Sequence, residues 1–234
     1  MDLLHLLAAM LVMWVGAQYL LGPIVVWLTL SIPERYVYPR LDPSDLLADD
    51  YRAQPLHDDL LRLGFVPAGA SRVQVVSGLY YAHPEDGAAA CIMLAPKYAC
   101  VAFFQHHAHA RLHLSNSRMP SPYPSWDRKI GHVLPGCRDV EELFRHFRTL
   151  RTRLALPGPV RASVDHVLAM SEAFENDQLE RLLAIGYFAR TPRNGRRRAT
   201  FKGALRMAWK LARPSRLIIV MLASRRARAA VDGA

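Results

Sequence analysis

At 234 residues, 51% of them hydrophobic, the chain is long enough for one domain with a buried core plus appended segments. Cys91, Cys100 and Cys137 are odd in number and form no CxxC, and Cys91 and Cys100, in apolar stretches, look like buried reduced thiols, which suits a cytoplasmic domain. The formal charge of +10 is uneven: from Ala189 onward thirteen basic residues face the single acid Asp232, leaving +12 there and −2 on the preceding residues, an asymmetry that points to an anionic membrane surface or a nucleic acid.

The first element is Leu3–Leu30, LLHLLAAMLVMWVGAQYLLGPIVVWLTL, which contains no Lys, Arg, Asp or Glu. An apolar helix of more than ~20 residues spans a bilayer core of about 30 Å and satisfies its own backbone hydrogen bonds there. The run is too long for a cleaved leader, only Asp2 precedes it as a charge, and Ala17-Gln18-Tyr19 is a poor cleavage site. It therefore reads as a transmembrane anchor. Pro23, following Gly22, predicts a kink. Trp14 and Trp27 mark levels about 20 Å apart along it, with Trp27 near the headgroups. His5 belongs at the membrane edge, and Gln18 faces a partner helix or snorkels. Arg35 and Arg40 follow the run and no basic residue precedes it, which favours an outside N-terminus and a cytoplasmic domain.

Residues 31–50, with Pro33, Pro39 and Pro43, read as a linker holding one short helix capped by Asp42 or Ser44. A helix follows from His57 and ends at Gly64. The middle reads as an antiparallel sheet of about four strands: Arg72–Tyr81, with Val73 and Val75 on one face, then Ala88–Ala95, Tyr98–Gln105 and Ala110–Leu114. In the last, Leu112 and Leu114 point inward and Arg111 and His113 outward. Ser115–Gly136 is a long polar, proline-rich loop with one short strand at Lys129–Leu134.

Asp139–Leu154 is the clearest helix, with Asp139 as cap and an apolar stripe of Val140, Leu143, Phe144, Phe147, Leu150 and Leu154. Two further helices are expected, Ser163–Phe174 and one from Asp177 to Gly186. Asn194-Gly195 predicts a tight basic hairpin, followed by a helix over Gly203–Ala212 and another from Ser215. The fold expected is thus α+β: residues 1–30 an anchor, 31–50 a linker, 51–188 an α+β domain, and 189–234 a basic hairpin and amphipathic, membrane-apposed tail.

No P-loop, GxGxxG, HExxH or GxSxG is present, and no cofactor is implied. The densest ligand-type cluster is His106, His107, His109 and His113, in which residues 107, 109, 111 and 113 share a strand face if the strand runs unbroken. Imidazole is a common transition-metal ligand, and such a site wants three or four ligands. The strongest signal is the basic tail. Arg196, Arg197, Arg198, Lys202, Arg206, Lys210, Arg213, Arg216, Arg225, Arg226 and Arg228, together with Trp209, have the makeup of an interface that lies on anionic lipid.

The stretches ARLHLSNSRMPSPYP, DVEELFRHFRTLRTRL and TFKGALRMAWKLARP are similar in outline to a family of bacterial N-terminally membrane-anchored proteins with no assigned activity. The resemblance implies an anchor, a polar loop and a basic tail, and carries no functional residue with it. The expectation is a non-catalytic single-pass membrane protein, an accessory or scaffolding subunit whose anchor and tail meet the membrane or a membrane-protein partner. Two alternatives are a membrane-tethered metal-dependent enzyme using the His106–His113 cluster, and a membrane-tethered nucleic-acid-binding protein.

Overall fold

A computed structural model describes residues 3–73 and 76–233. In chain order the elements are α1 (Leu3–Thr29), β1 (Ser31–Pro33), α2 (Pro43–Asp49), α3 (Ala53–Arg62), β2 (Val66–Val73), β3 (Val76–Ala82), β4 (Ala89–Ala95), β5 (Tyr98–His107), β6 (Arg111–Ser115), β7 (Lys129–Val133), α4 (Val140–Leu154), β8 (Pro159–Val160), α5 (Val167–Ala184), β9 (Arg196–Arg198), α6 (Phe201–Leu211) and α7 (Arg213–Asp232). The fold is α+β. Its main sheet has seven strands where about four were expected, in the order β2-β3-β4-β5-β6-β7 with β8 beside the end of β5.

The extra strands have local causes. Within the expected strand Arg72–Tyr81, Arg72 and Val73 end β2, and the residues from Val76 form β3, its antiparallel partner. Pro67 and Gly69 blur the β2 signal, and the register shifts between them. Val75 lies outside the described residues. β7 pairs with β6 in parallel, so the sheet is mixed. A parallel neighbour needs a crossover rather than a tight turn, and Asn116–Arg128 supplies it. α5 is continuous where two helices were expected. Between Phe174 and Asp177 stand only Glu175 and Asn176, neither a helix breaker.

The chain divides into two compact units: Met1–Arg35, Met119–Pro124 and Asn176–Met221; and Tyr36–Arg118, Ser125–Glu175 and Leu222–Ala234. The second unit holds the sheet, and strand alternation gives it two different faces. One is apolar: Leu79, Tyr81, Ile92, Val101, Phe103, Leu112 and Leu114 pack with Leu60, Phe65 and the α4 stripe. Asp139 caps α4 by accepting from the Glu141 N–H at 2.9 Å, which satisfies one otherwise orphaned donor. Val140, Leu143, Phe144, Phe147 and Leu150 are buried, whereas Leu154, the last of the expected stripe, is exposed. Ala227 and Val231, from the end of α7, close the same core. The other face carries Cys91, Phe104 and Ala89, with Val167 and Ala162 packed on it.

In the first unit α6 runs antiparallel along the second half of α1: Phe201 meets Trp27, Trp209 meets Tyr19, and Gly22 lies against Ala208. β1 and β9 form a ribbon pairing Ser31 with Arg198 and Pro33 with Arg196. The hairpin closes on Asn194 (φ 54°) and Gly195 (φ 67°), as the Asn-Gly pair predicts. Thr200 then caps α6 by accepting from the Gly203 N–H at 3.0 Å. A Cβ on Gly203 would stand 2.1 Å from the Tyr187 carbonyl oxygen, so only glycine permits this approach.

Candidate functional site

The long apolar helix α1 is long and apolar enough to cross a membrane, and its only buried residue is Pro23. α6 turns Gly203, Ala204, Met207 and Ala208 inward. Four-residue spacing then sets two outward stripes side by side. Phe201, Leu205 and Trp209 are exposed by 55%, 44% and 60%, and the exposed Lys202 and Arg206 run next to them.

The basic residues expected to act together have separate fates. Arg196 donates to the Ser31 hydroxyl and carbonyl, both at 2.8 Å. Arg197 is largely buried, 3.7 Å from Glu34, and donates to the Arg190 carbonyl. Arg198 is exposed. Lys202 donates to the Ile185 carbonyl at 3.2 Å, and the Arg206 guanidinium lies 5.8 Å from the Tyr187 ring centre. Lys210 donates to the Tyr123 carbonyl at 2.6 Å. The Arg213 N–H donates to Gln18 Oε1 at 3.0 Å, and its guanidinium stands 5.5 Å from the Trp14 ring. Arg216 approaches Met119 Sδ at 3.5 Å. Arg225, Arg226 and Arg228 are exposed on the stretch of α7 that belongs to the sheet unit.

The histidines do not line one face. Residues 108–110 interrupt the strand and reset its alternation, so His106 pairs with Arg111 across β5 and β6, and His113 pairs with Phe104. His106, Arg111 and His113 thus share a face, while His107 turns to the other, its Nδ1 3.3 Å from the Pro157 carbonyl. His109 is exposed in the turn. Among the described residues, no group of three or more His, Cys, Asp or Glu is placed to hold a metal ion.

Arg111 and His113, expected to point outward, instead lie on a covered face, with Arg111 only 7% exposed. The Arg111 guanidinium sits 4.0 Å from the Phe104 ring centre and 4.9 Å from that of Phe174, with Glu175 Oε1 at 3.7 Å. The His106 ring packs edge-on against both phenyl rings. Burial, then the nearby Arg111 and His107, push the His106 imidazole down to about 3. Burial and Arg111 hold His113 well below its usual range, and burial lowers Lys129. Burial raises the Cys91 thiol to about 12, so it is no thiolate nucleophile at neutral pH. Arg111 Nε, His106 Nε2, His113 Nδ1 and Ser171 Oγ are buried without a hydrogen-bond partner. The layer therefore presents neutral imidazoles beside a fixed cation. Sequence reasoning missed Arg111, Glu175 and Phe174. The available signal was the lack of a helix breaker between Phe174 and Asp177, which lets one helix run over Val167–Ala184, long enough to cover the second side of the sheet.

No family model matches the chain, and neither the curated proteins nor the solved structures contain a match.

Proposed function

We propose that this is a membrane-bound accessory or scaffolding protein with no catalytic activity of its own. α1 holds it in the bilayer, the basic side of α6 meets an anionic leaflet, and the sheet unit stands in the cytoplasm. The observation that carries this reading is the pairing of α6 with α1. The pair leaves an apolar edge of Phe201, Leu205 and Trp209 in solvent beside Lys202 and Arg206. A soluble domain hides such an edge in its core, and contiguous exposed apolar surface marks a membrane or partner contact. Apolar and basic stripes side by side are the composition of an interfacial helix. The excess of arginine after α1 supports a cytoplasmic sheet unit.

Flotation of the full chain, transferred from detergent to vesicles, tests this. The chain is expected to float with neutral and anionic vesicles and to prefer the anionic ones. Basic residues near an anionic surface contribute about 1 kcal/mol each. Neutralising Arg198, Lys202 and Arg206 together is therefore expected to remove most of the preference, about 100-fold in partitioning, while association through α1 persists. A chain that stays in the dense fraction with both vesicle types sinks the reading.

A further inference from the structure

We infer that β7 is a self-association edge: two copies of this chain pair antiparallel along Lys129–Val133, about a two-fold axis at Gly131, and join their sheets into one. The inference concerns the sheet unit alone and stands apart from the membrane-bound reading.

A sheet ends in two edge strands, each with a row of N–H and C=O groups that point away from the ladder. Here those strands are β2 and β7. β2 is closed off. Leu41 lies beside it and exchanges both backbone hydrogen bonds with Ala70, at 2.9 and 3.3 Å. Pro67 offers no N–H, and the register shifts between Pro67 and Gly69. β7 carries none of these devices. Its sequence, KIGHV, has no proline, and its ladder with β6 runs without a register shift.

The phase of that ladder shows which groups are left over. The Arg111 N–H donates to the Arg128 carbonyl at 2.7 Å, and the Leu134 N–H to the Ser115 carbonyl at 2.8 Å. Backbone groups alternate along a strand. Ile130 and His132 therefore bond toward β6, whereas Gly131 and Val133 turn their N–H and C=O outward. Among the described residues no backbone hydrogen bond takes these outward groups. Gly131 is exposed, and a Cβ built on it meets nothing within 4 Å.

The occupant that fits is a second β7. With the axis at Gly131, the strands cross where there is no side chain, and Gly131 exchanges two N–H···O bonds with its mate. Val133 of each copy stands opposite Lys129 of the other, and Ile130 opposite His132. No cation faces a cation across the axis, which is the arrangement that would oppose pairing. The Val133 N–H meets the Lys129 carbonyl, whose two lone pairs let it accept twice. The same symmetry lays the start of one strand beside the end of the other. Exposed Asp127 then approaches the second copy's exposed Arg138 and Arg228, whose own Arg228 Nη2 lies 3.8 Å from the Cβ position of Gly136. Arg128, next to Asp127, is already engaged within its own chain. A contact of this isologous kind closes as a dimer, and the covered β2 edges stop it from growing further.

The test follows the full chain in mild detergent by sedimentation equilibrium over a range of concentrations. A monomer–dimer equilibrium is expected. Gly131→Pro removes the outward N–H and leaves the β6 ladder intact, so it should weaken dimerisation about 10–100-fold. Oxidation in a Cys137→Ser background, where Cys91 and Cys100 stay buried, reads the register. Gly131→Cys should link two copies by a disulfide, because Cα atoms ~5.5 Å apart across the axis suit one. Val133→Cys should not, because at 3.4 Å per residue that position lies about 14 Å from its mate. Three outcomes each overturn the inference: a monomer at every concentration, a dimer indifferent to Gly131→Pro, or a cross-link at Val133→Cys in place of Gly131→Cys. If Gly131→Pro does not fold, the two cysteine variants decide.

Discussion

Helix α1 and the strands β4 and β5 are comparably apolar, yet they leave water by opposite routes. β4 and β5 are buried on both faces, by α4 and the α3 end on one side and by the start of α5 on the other. α1 keeps almost its whole surface exposed apart from Pro23 and the side met by α6. Apolar sequence therefore fixes the need to escape water and not the medium that receives the side chain. The protein supplies that medium for the strands; in the function proposed above, lipid supplies it for the helix.

The largest expected effect sharpens this contrast. Phe147 is fully buried beside Phe103 and Phe144. Phe147→Ala is expected to lower stability by about 3–5 kcal/mol in urea unfolding of the full chain in mild detergent. Leu11→Ala, at a position 60% exposed, should change it by less than about 0.5 kcal/mol. Equal losses at the two positions would break the comparison.

The polar face of the sheet gives the next effect. His106 is held neutral down to about 3 when folded, against ~6.5 in an unfolded chain. Above pH 6.5 neither state gains a proton and stability is unaffected. As pH falls below that value the unfolded chain binds a proton that the folded one refuses. Stability is then lost by about 1.4 kcal/mol per pH unit, until the folded pKa is reached. His106 alone should therefore cost about 2 kcal/mol between pH 6.5 and 5, and His113, also depressed, adds to the slope. Urea midpoints across this range, with His106→Phe flattening the curve, would show it, and a pH-independent midpoint would refute it.

The smallest effect on stability comes from the α6 edge. Leu205→Ser, at a position 44% exposed, should shift the urea midpoint in detergent by no more than about 0.5 kcal/mol. It should nevertheless weaken vesicle partitioning measurably. A large stability loss would mean that Leu205 packs within the protein rather than against lipid.

Much of the fold was legible from local chemistry. α4 appeared with its Asp139 cap, the Asn194-Gly195 hairpin closed as its turn residues demand, and Cys91 and Cys100 are buried thiols. What escaped was decided by distant partners. β7 is a short strand whose ladder is formed with β6 across a long crossover, and nothing within Lys129–Val133 announces a parallel neighbour. Arg111 alternates with Leu112 as a solvent-facing residue would, and only a helix on the second face reverses that sense. The close approach of α6 to the Tyr187 carbonyl depends on Gly203, a constraint that composition cannot reveal. The basic residues after Ala189 are plain in the sequence as a cluster, but their ties to Ser31, Glu34, Gln18 and Tyr123 follow from chain reversal.

The ribbon that joins Ser31–Pro33 to Arg196–Arg198 also sets an order of events during synthesis. α1 leaves the ribosome well before α6 and its strand, which follow about 170 residues later. At 5–20 residues per second the interval is on the order of 10–30 s. For that time the most apolar segment of the chain lacks the α6 surface it later docks on, and in the function proposed above lipid receives it before the rest has folded. On that proposal targeting precedes maturation, and a nascent chain denied a bilayer at that stage would present α1 to chaperones or to other nascent copies.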